Sequence, residues 1–311
     1  MFGDLETYQT KKKLKVFPGI FPGSGTVILL IAIALLFGIT IWWVNHNASL
    51  QNIWTGYSPD ENGASSICEK TNMSNPVQQP VNTFSSIVYL LVAIVVLKNN
   101  RVRLKAIRDS KYFSMASFYS LLFGILLIYV FGASVFYHAS LTDIAHRVDY
   151  SAVFAFSLFP IMYFLQRWQR IRKNQLDDLQ KRNYSILLCF PFLAIWILLS
   201  LFTPKGMGSA VTLLLILTFF AFAFINQVKK PGSHNAGYLV SSIVSILVAI
   251  LWFELDRFKL LCYPGSYFQS HALWNLFIGI SAYYFSRYIR NEKNSAVPGV
   301  DHPVENLNQK I

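Results

Sequence analysis

Charged residues are scarce in this sequence. Asp, Glu, Lys and Arg together make up 14% of its 311 residues, whereas about one quarter of an average soluble domain is charged. Hydrophobic residues account for 54%, and no long polar stretch remains from which a soluble domain could be built. The composition therefore excludes an ordinary soluble domain and favours a single domain that lies in a lipid bilayer.

Acidic residues are the rarer of the charged residues, and 15 of them against 27 Lys and Arg leave a net charge of +12. A net positive charge is typical of nucleic-acid-binding proteins when Lys and Arg cluster on one folded face. In this sequence they lie instead in short connections between apolar runs. We therefore expect no nucleic-acid partner.

Eight apolar runs approach the length of about 20 residues that crosses a bilayer as a helix. They cover residues 25–44, 81–97, 115–137, 149–166, 184–203, 209–227, 236–254 and 268–286. The second run is the least clear, because four polar residues lie at its start: Asn82, Thr83, Ser85 and Ser86. The pattern predicts an all-α fold, a polytopic membrane helix bundle with about eight spans.

The distribution of basic residues predicts how the bundle is oriented. Of the 27 Lys and Arg residues, 22 lie on one predicted side: the N-terminal segment, the connections 98–114, 167–183 and 228–235, and the C-terminal tail. Cytoplasmic loops carry the excess of Lys and Arg in membrane proteins. Both termini are therefore expected in the cytoplasm, although solvated loops without a preferred orientation would show the same clusters.

The chain is expected to divide into four parts. Residues 1–45 form a cytoplasmic N-terminus and a transmembrane helix, whose apolar run is too long for a cleaved signal peptide. Residues 46–80 form an outer loop, and residues 81–290 form the helical core. Residues 291–311 are polar and lack periodicity, so they are expected to form a disordered cytoplasmic tail.

Polar side chains capable of chemistry recur at the outer ends of three predicted spans. Ser134 and His138 are four residues apart, on one face of a helix, and so are His271 and Asn275. Asp149 follows His138 after a spacing that suits a short turn, so Asp149 is expected to open the fourth span. Ionisable groups at membrane depth are costly, and we treat these five residues as a candidate functional site near the outer membrane face.

Two histidines, a carboxylate and a hydroxyl at one depth suit a metal-activated water. Neutral imidazoles bind zinc, and an open coordination position then holds a water whose pKa falls to near 7. Each residue also has a structural interpretation: a histidine bonded to a neighbour or headgroup, Ser134 in helix packing, and Asp149 as an N-cap. The remaining histidines fall in predicted loops or the tail and are assigned no role: His46, His146, His234 and His302.

Cysteine is also rare, with three residues in the chain. Cys68 and Cys262 both lie in predicted outer connections, where a periplasm or an organelle lumen is oxidising. They could form a disulfide or remain two free thiols. Cys189 lies inside the fifth predicted span and is expected to be a packing residue.

Four short patches of the sequence resemble the alkaline ceramidase family, within the superfamily of seven-helix membrane hydrolases that includes adiponectin-receptor-like proteins. The likeness covers residues 66–290 and leaves the first span as an extra N-terminal helix before a seven-helix core. The patches are Asn82-Thr83-x-Ser85, Ser134-x3-His138-x10-Asp149, Trp252-x3-Asp256 with Cys262, and Gln269-x-His271-Ala272-x-Trp274 with Gly279 and Tyr283.

The resemblance implies a catalytic zinc held by three histidines, of which His138 and His271 would be two. Asn275 stands where the family has its third histidine, and an amide oxygen is a much poorer zinc ligand than imidazole. Ser134 and Asp149 would match the active-site serine and aspartate of the family.

The resemblance also implies a disulfide between Cys68 and Cys262. Some family members bind calcium just before the first core helix, where this sequence offers Glu69 and Asn72. Gln79 stands where a carboxylate is expected. Losing that carboxylate weakens a site for a hard cation, so the resemblance gives calcium little support.

These features lead to one hypothesis and two alternatives. The protein is expected to be an intramembrane zinc amidohydrolase that cleaves ceramide or a related N-acyl lipid taken from the bilayer. A non-catalytic lipid-binding or sensing relative, which has lost full zinc ligation through Asn275, is the first alternative. A transporter is the second, but it would show internal repeats and discontinuous helices, and neither is visible.

Overall fold

A computed structural model describes residues 23–60, 67–108, 115–172, 178–229 and 236–291. The predicted cytoplasmic segment before residue 23 and the predicted disordered tail after residue 291 lie outside these residues, as do His234 and His302. The described chain folds into α1 (Ser24–His46), α2 (Pro80–Ser85), α3 (Ile87–Arg108), α4 (Met115–Ser140), α5 (Asp143–Arg172), α6 (Asp178–Phe202), α7 (Gly208–Lys229), α8 (Ala236–Arg257) and α9 (Ser270–Arg290). The all-α polytopic bundle is confirmed.

Seven helical segments of the described chain are long and apolar enough to cross a membrane. They correspond to α1, to α2 with α3, and to α4 through α8. The eighth predicted span is the helix α9, which is too polar to qualify by composition. It packs closely against its neighbours: Ser242 of α8 and Ser281 lie 2.9 Å apart, and a Cβ on Gly279 would meet Val88 of α3 at 2.4 Å. Small residues of this kind let membrane helices approach.

Consecutive long helices run in opposite directions between two ends of the bundle. At one end, Lys98 of α3 donates a hydrogen bond to Thr26 at the start of α1. At the other end, the side chain of Asn45 near the end of α1 exchanges two hydrogen bonds with the backbone of Val77, at 3.2 and 2.9 Å. We call this second end the disulfide end, because it also holds the disulfide bond.

Cys68 and Cys262 are bonded, with Cα atoms 5.5 Å apart. The predicted disulfide is confirmed. It attaches the segment before α2 to the loop between α8 and α9. Beside it, the backbone N–H of Lys70 donates to the carbonyl of Pro264 at 2.9 Å, so the two segments are also joined through their backbones.

Helix α5 begins six residues before the predicted start of the fourth span, at Asp143. Thr142 serves as its N-cap, since its Oγ1 accepts a hydrogen bond from the Ala145 N–H at 3.3 Å. This first turn is polar, so the apolar run did not reveal it. Asp149 therefore lies in the second turn and neither opens nor caps the helix, and His146 is helical rather than in a loop.

The second predicted span is divided into α2 and α3, which are separated at Ser86. Pro80 opens α2, where its missing N–H is not needed. The carboxylate of Glu69 accepts the next two N–H groups, those of Val81 at 2.7 Å and Asn82 at 2.8 Å. Three of the four polar residues that make this span unclear in the sequence, Asn82, Thr83 and Ser85, therefore belong to a separate, capped helix at the disulfide end.

Aromatic side chains fill the centre of the bundle. The ring of Phe123 in α4 lies 4.9 Å from that of Phe159 in α5 and 5.7 Å from that of Phe285 in α9. Helices α1 and α6 lie at the periphery, where only 6% of the residues in their most apolar stretches are buried. They present most of their apolar side chains outward, as lipid-facing helices do.

Candidate functional site

His138 and His271 meet at the disulfide end of the bundle. His138 lies in the last turn of α4, and His271 lies in the first turn of α9. Their ring centroids are 4.8 Å apart. His138 is 1% exposed, and the side chain of His271 is 13% exposed. The structure thus brings together the two histidines that the sequence selected.

Gln79 holds the ring of His138 from the segment before α2. Gln79 Oε1 lies 2.9 Å from His138 Nδ1, and the Gln79 N–H donates to the His138 carbonyl at 3.0 Å. Asn82 Nδ2 donates to the same Oε1 at 3.4 Å. Because an amide oxygen only accepts, His138 Nδ1 carries the proton in this arrangement and Nε2 keeps its lone pair. That tautomer is able to bind a metal or accept a proton.

Asp256 approaches His271 from the end of α8. Its Oδ2 lies 4.0 Å from His271 Nδ1, which is within reach of an ion pair but too long for a hydrogen bond. His271 Nδ1 has no hydrogen-bond partner among the described residues. Asp256 Oδ1 accepts from the Cys68 N–H at 3.2 Å. The carboxylate therefore connects the disulfide to the site, and the His271 ring is held less firmly than that of His138.

Asn275 lies one turn after His271 and bridges three helices. Its Oδ1 accepts from the Tyr89 hydroxyl and its Nδ2 donates to Ser85 Oγ, both at 2.9 Å. The residue is buried. A carbonyl oxygen has two lone pairs, so Oδ1 keeps one. The amide therefore joins α9 to α2 and α3 and retains a single weak ligand position.

Ser134 pairs with Ser86 at the break between α2 and α3. Their Oγ atoms are 2.8 Å apart, and both residues are buried. Ser86 Oγ also donates to the Asn82 carbonyl at 3.0 Å, so the Ser134 hydroxyl supplies the proton between the two serines. Ser134 lies one turn before His138 on α4, which places it beside the histidine pair.

Asp149 is partly buried on α5. Its carboxylate interacts electrostatically with Tyr89 and Tyr137 and with His146. Tyr89 in turn donates to Asn275.

The site brings together fewer than three strong metal ligands among the described residues. The described residues contain no group of three or more His, Cys, Asp or Glu side chains that could hold a metal ion. His138 and His271 supply two imidazoles, Asp149 is not grouped with both of them, and Asn275 is an amide. A metal at this site would therefore depend on the amide oxygen or on water for its third ligand.

The three residues considered for calcium have separate partners. Glu69 caps α2, Asn72 Oδ1 accepts from the hydroxyl of Ser74 at 2.8 Å, and Gln79 faces His138. Burial raises the pKa of Glu69 from 4.5 to about 7, which weakens it further as a ligand because a protonated carboxyl lacks the charge that a hard cation requires.

An apolar cavity lies within the bundle, and its lining includes none of the five candidate site residues. The helices that carry the candidate site residues, together with α3, also line the cavity, about one turn away from those residues. These lining residues are Tyr89, Val130, Val153, Trp274 and Ile278. The far end is lined by Phe123, Phe219 and Phe285. Along α9, the distance from Trp274 to Phe285 is about 16 Å at 1.5 Å per residue. This length and composition suit an acyl chain.

Sequence reasoning assigned no site role to Tyr89, Ser86 or His146, and it considered Gln79 only for calcium. Ser86 was visible as a polar residue inside an apolar run. Tyr89 was not, because tyrosine is common in membrane helices and its partner Asn275 is far away in the sequence. Asp256 was noted only within a resemblance patch, although a carboxylate at the end of a predicted span is itself a signal.

Comparison with known proteins adds no assignment. No protein-family model and no curated protein matches this chain. The function that follows rests on the geometry of the site and on the motifs in the sequence.

Proposed function

We propose that this protein is a membrane-embedded, zinc-dependent amidohydrolase that cleaves the amide bond of ceramide or a related N-acyl lipid. The observation that carries the proposal is the His138–His271 pair, whose ring centroids are 4.8 Å apart, together with an apolar cavity lined by residues about one helical turn from the site. A lipid whose acyl chain occupied this cavity would present its amide group to the two rings.

The side chains fit a zinc ion that has one weak ligand. His138 Nε2 keeps a lone pair, His271 has a ring nitrogen without a hydrogen bond among the described residues, and Asn275 Oδ1 has one lone pair left. Two imidazoles and one oxygen leave a fourth tetrahedral position open. When bound, the zinc would polarise the amide carbonyl and lower the pKa of its water. The affinity is expected to be lower than that of a three-histidine site.

Two groups of the chain would handle protons and developing charge. Asp149 would accept a proton from the attacking water and return it to the leaving nitrogen. Ser134 would donate a hydrogen bond to the carbonyl oxygen as negative charge develops there. For this its hydroxyl has to turn away from Ser86, which a rotation about one bond achieves.

Two polar atoms without partners in the described part of the chain belong to the residues that come just before His271. Gln269 Oε1 and Ser270 Oγ are buried and have no hydrogen-bond partner among the described residues. Both residues directly precede His271 on the chain. They are suited to bind hydroxyl groups of a lipid near its amide bond, because a buried polar atom that gains such a bond no longer bears its desolvation cost.

Metal analysis and a turnover assay test the proposal. Purified protein in nanodiscs should contain about one zinc per chain and should release a fluorescent acyl chain from labelled ceramide. His138→Ala and His271→Ala should lose both properties. His46→Ala is a matched control, because His46 lies at the same end of the bundle but is exposed and contacts its own helix through the Trp42 carbonyl. Zinc-free wild-type protein without turnover would contradict the proposal.

A second candidate function is favoured by the bonds of Asn275. Both polar groups of its amide already have partners, Tyr89 and Ser85, so the third ligand position is held by a structural bridge. A non-catalytic protein that binds N-acyl lipids without cleaving them would have its third ligand position occupied by a structural bridge of this kind. Such a lipid-binding protein would retain labelled ceramide in the cavity but would contain no zinc and show no turnover. This result would distinguish it from the amidohydrolase.

A further inference from the structure

A second cluster of ionisable side chains lies at the disulfide end, beside the site. Asp60, from the loop after α1, is buried. Its Oδ2 accepts a hydrogen bond from the Tyr137 hydroxyl at 3.0 Å and lies 2.9 Å from His146 Nδ1. The side chain of His146 is 20% exposed, whereas that of Asp60 is 6% exposed. His146 therefore extends from a buried carboxylate toward water.

Neighbouring rings fix the orientation of His146. Its ring stacks on that of Tyr137, with centroids 5.1 Å apart and an interplanar angle of 21°. The ring of Tyr150 lies on another side, at 4.7 Å. With Nδ1–H donated to Asp60, Nε2 keeps the lone pair with which an imidazole accepts a proton. A histidine that is oriented by a buried carboxylate in this way is suited to proton transfer.

His146 also lies next to the proposed catalytic base. His146 and Asp149 are three residues apart on α5, so their Cβ atoms are neighbours at about 5–6 Å on one face of the helix. The two side chains interact electrostatically. Asp60, Tyr137 and Tyr150 therefore contact the His146 ring, and Asp149 lies one turn further along α5.

The cluster also has a structural aspect, since Asp60 connects the loop after α1 to α4 and α5. Backbone bonds already make this connection, however. The Asp60 N–H donates to the Leu141 carbonyl at 2.8 Å, and the Asp143 N–H donates to the Ser58 carbonyl at 3.0 Å. A neutral pair of side chains would complete such a connection without burying a carboxylate, which is costly. We therefore expect the Asp60–His146 pair to have a role in addition to joining these segments.

Amide hydrolysis in a buried site supplies that role. Water adds to the carbonyl carbon, the C–N bond breaks, and the proton that Asp149 took from water goes to the leaving amine. The other product is a carboxylic acid, which gives up its own proton to become the carboxylate, while the released amine takes up a proton from bulk water. The proton of the acid then has to leave a site in which His138 is buried and the side chain of His271 is only 13% exposed.

We propose that His146, oriented by Asp60, carries protons between Asp149 and water at the disulfide end. This inference rests on the proposed hydrolase function. The product acid passes its proton to Asp149, Asp149 passes it to His146 Nε2, and the same nitrogen then gives it to a solvent water. In this scheme His146 acts through Asp149 and touches no reacting atom.

Chemical rescue tests the relay in nanodiscs with fluorescent ceramide. His146→Ala should lower kcat by at least about tenfold, less than the 10²–10⁴-fold typical of a direct acid–base group, and leave KM unchanged. Imidazole added to the buffer should restore kcat toward the wild-type value. His146→Gln can still donate to Asp60 and should fold with the wild-type Tm, but it should share the loss of kcat. Asp60→Asn should lower kcat by a smaller factor.

The control variant is again His46→Ala, which should keep wild-type kcat and show no response to imidazole. Loss of kcat in His146→Ala and His146→Gln without rescue, or wild-type kcat in both, would overturn the relay while the hydrolase function stands. Wild-type protein without turnover would overturn the hydrolase function, and the relay with it.

Discussion

The two ends of the bundle bury polar side chains in different ways. At the end opposite the disulfide, amides donate to the backbone of neighbouring helices: Asn100 to the Ser117 carbonyl at 3.0 Å, and Asn226 to the Phe164 carbonyl at 3.4 Å. Such bonds hold membrane helices together and do not depend on protonation.

At the disulfide end, the buried polar side chains include a histidine and carboxylates, namely His138, Asp60 and Asp256. Gln79 bonds to His138, Ser86 to Ser134, and Tyr89 to Asn275. Imidazole and carboxyl groups gain and lose protons, whereas amide and guanidinium groups do not. If the proposed function is correct, variants opposite the disulfide should change stability alone, whereas variants at the disulfide end should also change turnover. Variants at the two ends test this distinction.

The largest effect is expected from a direct comparison of the two ends. His271→Ala should remove a zinc ligand and lower turnover of fluorescent ceramide by at least about hundredfold, as expected for loss of a group central to catalysis. Asn226→Ala, at the opposite end, removes a helix-to-helix bond worth about 1 kcal/mol, so it should lower Tm while changing kcat by less than about twofold. A loss of kcat in Asn226→Ala at equal folded fraction would erase the distinction between the ends.

Gln79 is expected to give the next largest effect. Gln79→Met fills a similar volume but removes the acceptor that orients His138, and loss of such an orienting partner typically costs 10–100-fold in metal affinity or activity. Gln79→Glu keeps the acceptor and should retain most of the turnover. Zinc titration together with kcat measures both variants. If Gln79→Met and Gln79→Glu behave alike, the hydrogen bond to His138 has no functional role.

Asn275→His should act in the opposite direction. Imidazole is a far better zinc ligand than an amide oxygen, so zinc binding should tighten by at least about tenfold and hydrolysis should rise. The variant also loses two hydrogen bonds, to Tyr89 and Ser85, and Tyr89→Phe serves as the control for that structural loss. If wild type is inactive and Asn275→His gains zinc and turnover, the natural protein is the non-catalytic relative. If wild type is active and Asn275→His changes neither, Asp149 is the first candidate to complete the ligand set.

The fold could be predicted from the sequence because the length of an apolar run needs no knowledge of neighbours. The helix starts were harder, since they depend on local capping: Thr142 begins α5 before any apolar periodicity appears. His146 was assigned no role for that reason, as its turn looked like a loop.

The pairing of His138 with His271 was also within reach, because both stood out as ionisable groups at one depth. Their partners were not. Gln79 is 59 positions from His138 in the chain, and Tyr89 is 186 from Asn275. Contacts at such separations follow from how the helices pack, and periodicity in one segment carries no information about the segment it faces. The break at Ser86, which aims Ser86 at Ser134, has the same origin.

Glu69 is expected to give the smallest effect, which concerns stability rather than catalysis. It lies at the disulfide end but outside the spanning helices, and burial raises its pKa from 4.5 to about 7. The folded state therefore binds the proton more tightly than the unfolded state. The resulting stabilisation is complete below about pH 4.5 and is lost as the pH rises through about 7. Glu69→Gln cannot titrate, so its Tm relative to wild type should rise between about pH 5 and pH 8, even though it loses one of the two N–H bonds that cap α2. The control is Glu254→Gln, which removes a partly exposed carboxylate that lies 3.7 Å from Arg257 and so accounts for the loss of one negative charge. Parallel Tm curves for wild type and Glu69→Gln would show that the cap stays ionised, and Glu69 would then belong with the fixed structural bonds of the opposite end rather than with the protonation-sensitive groups around His138.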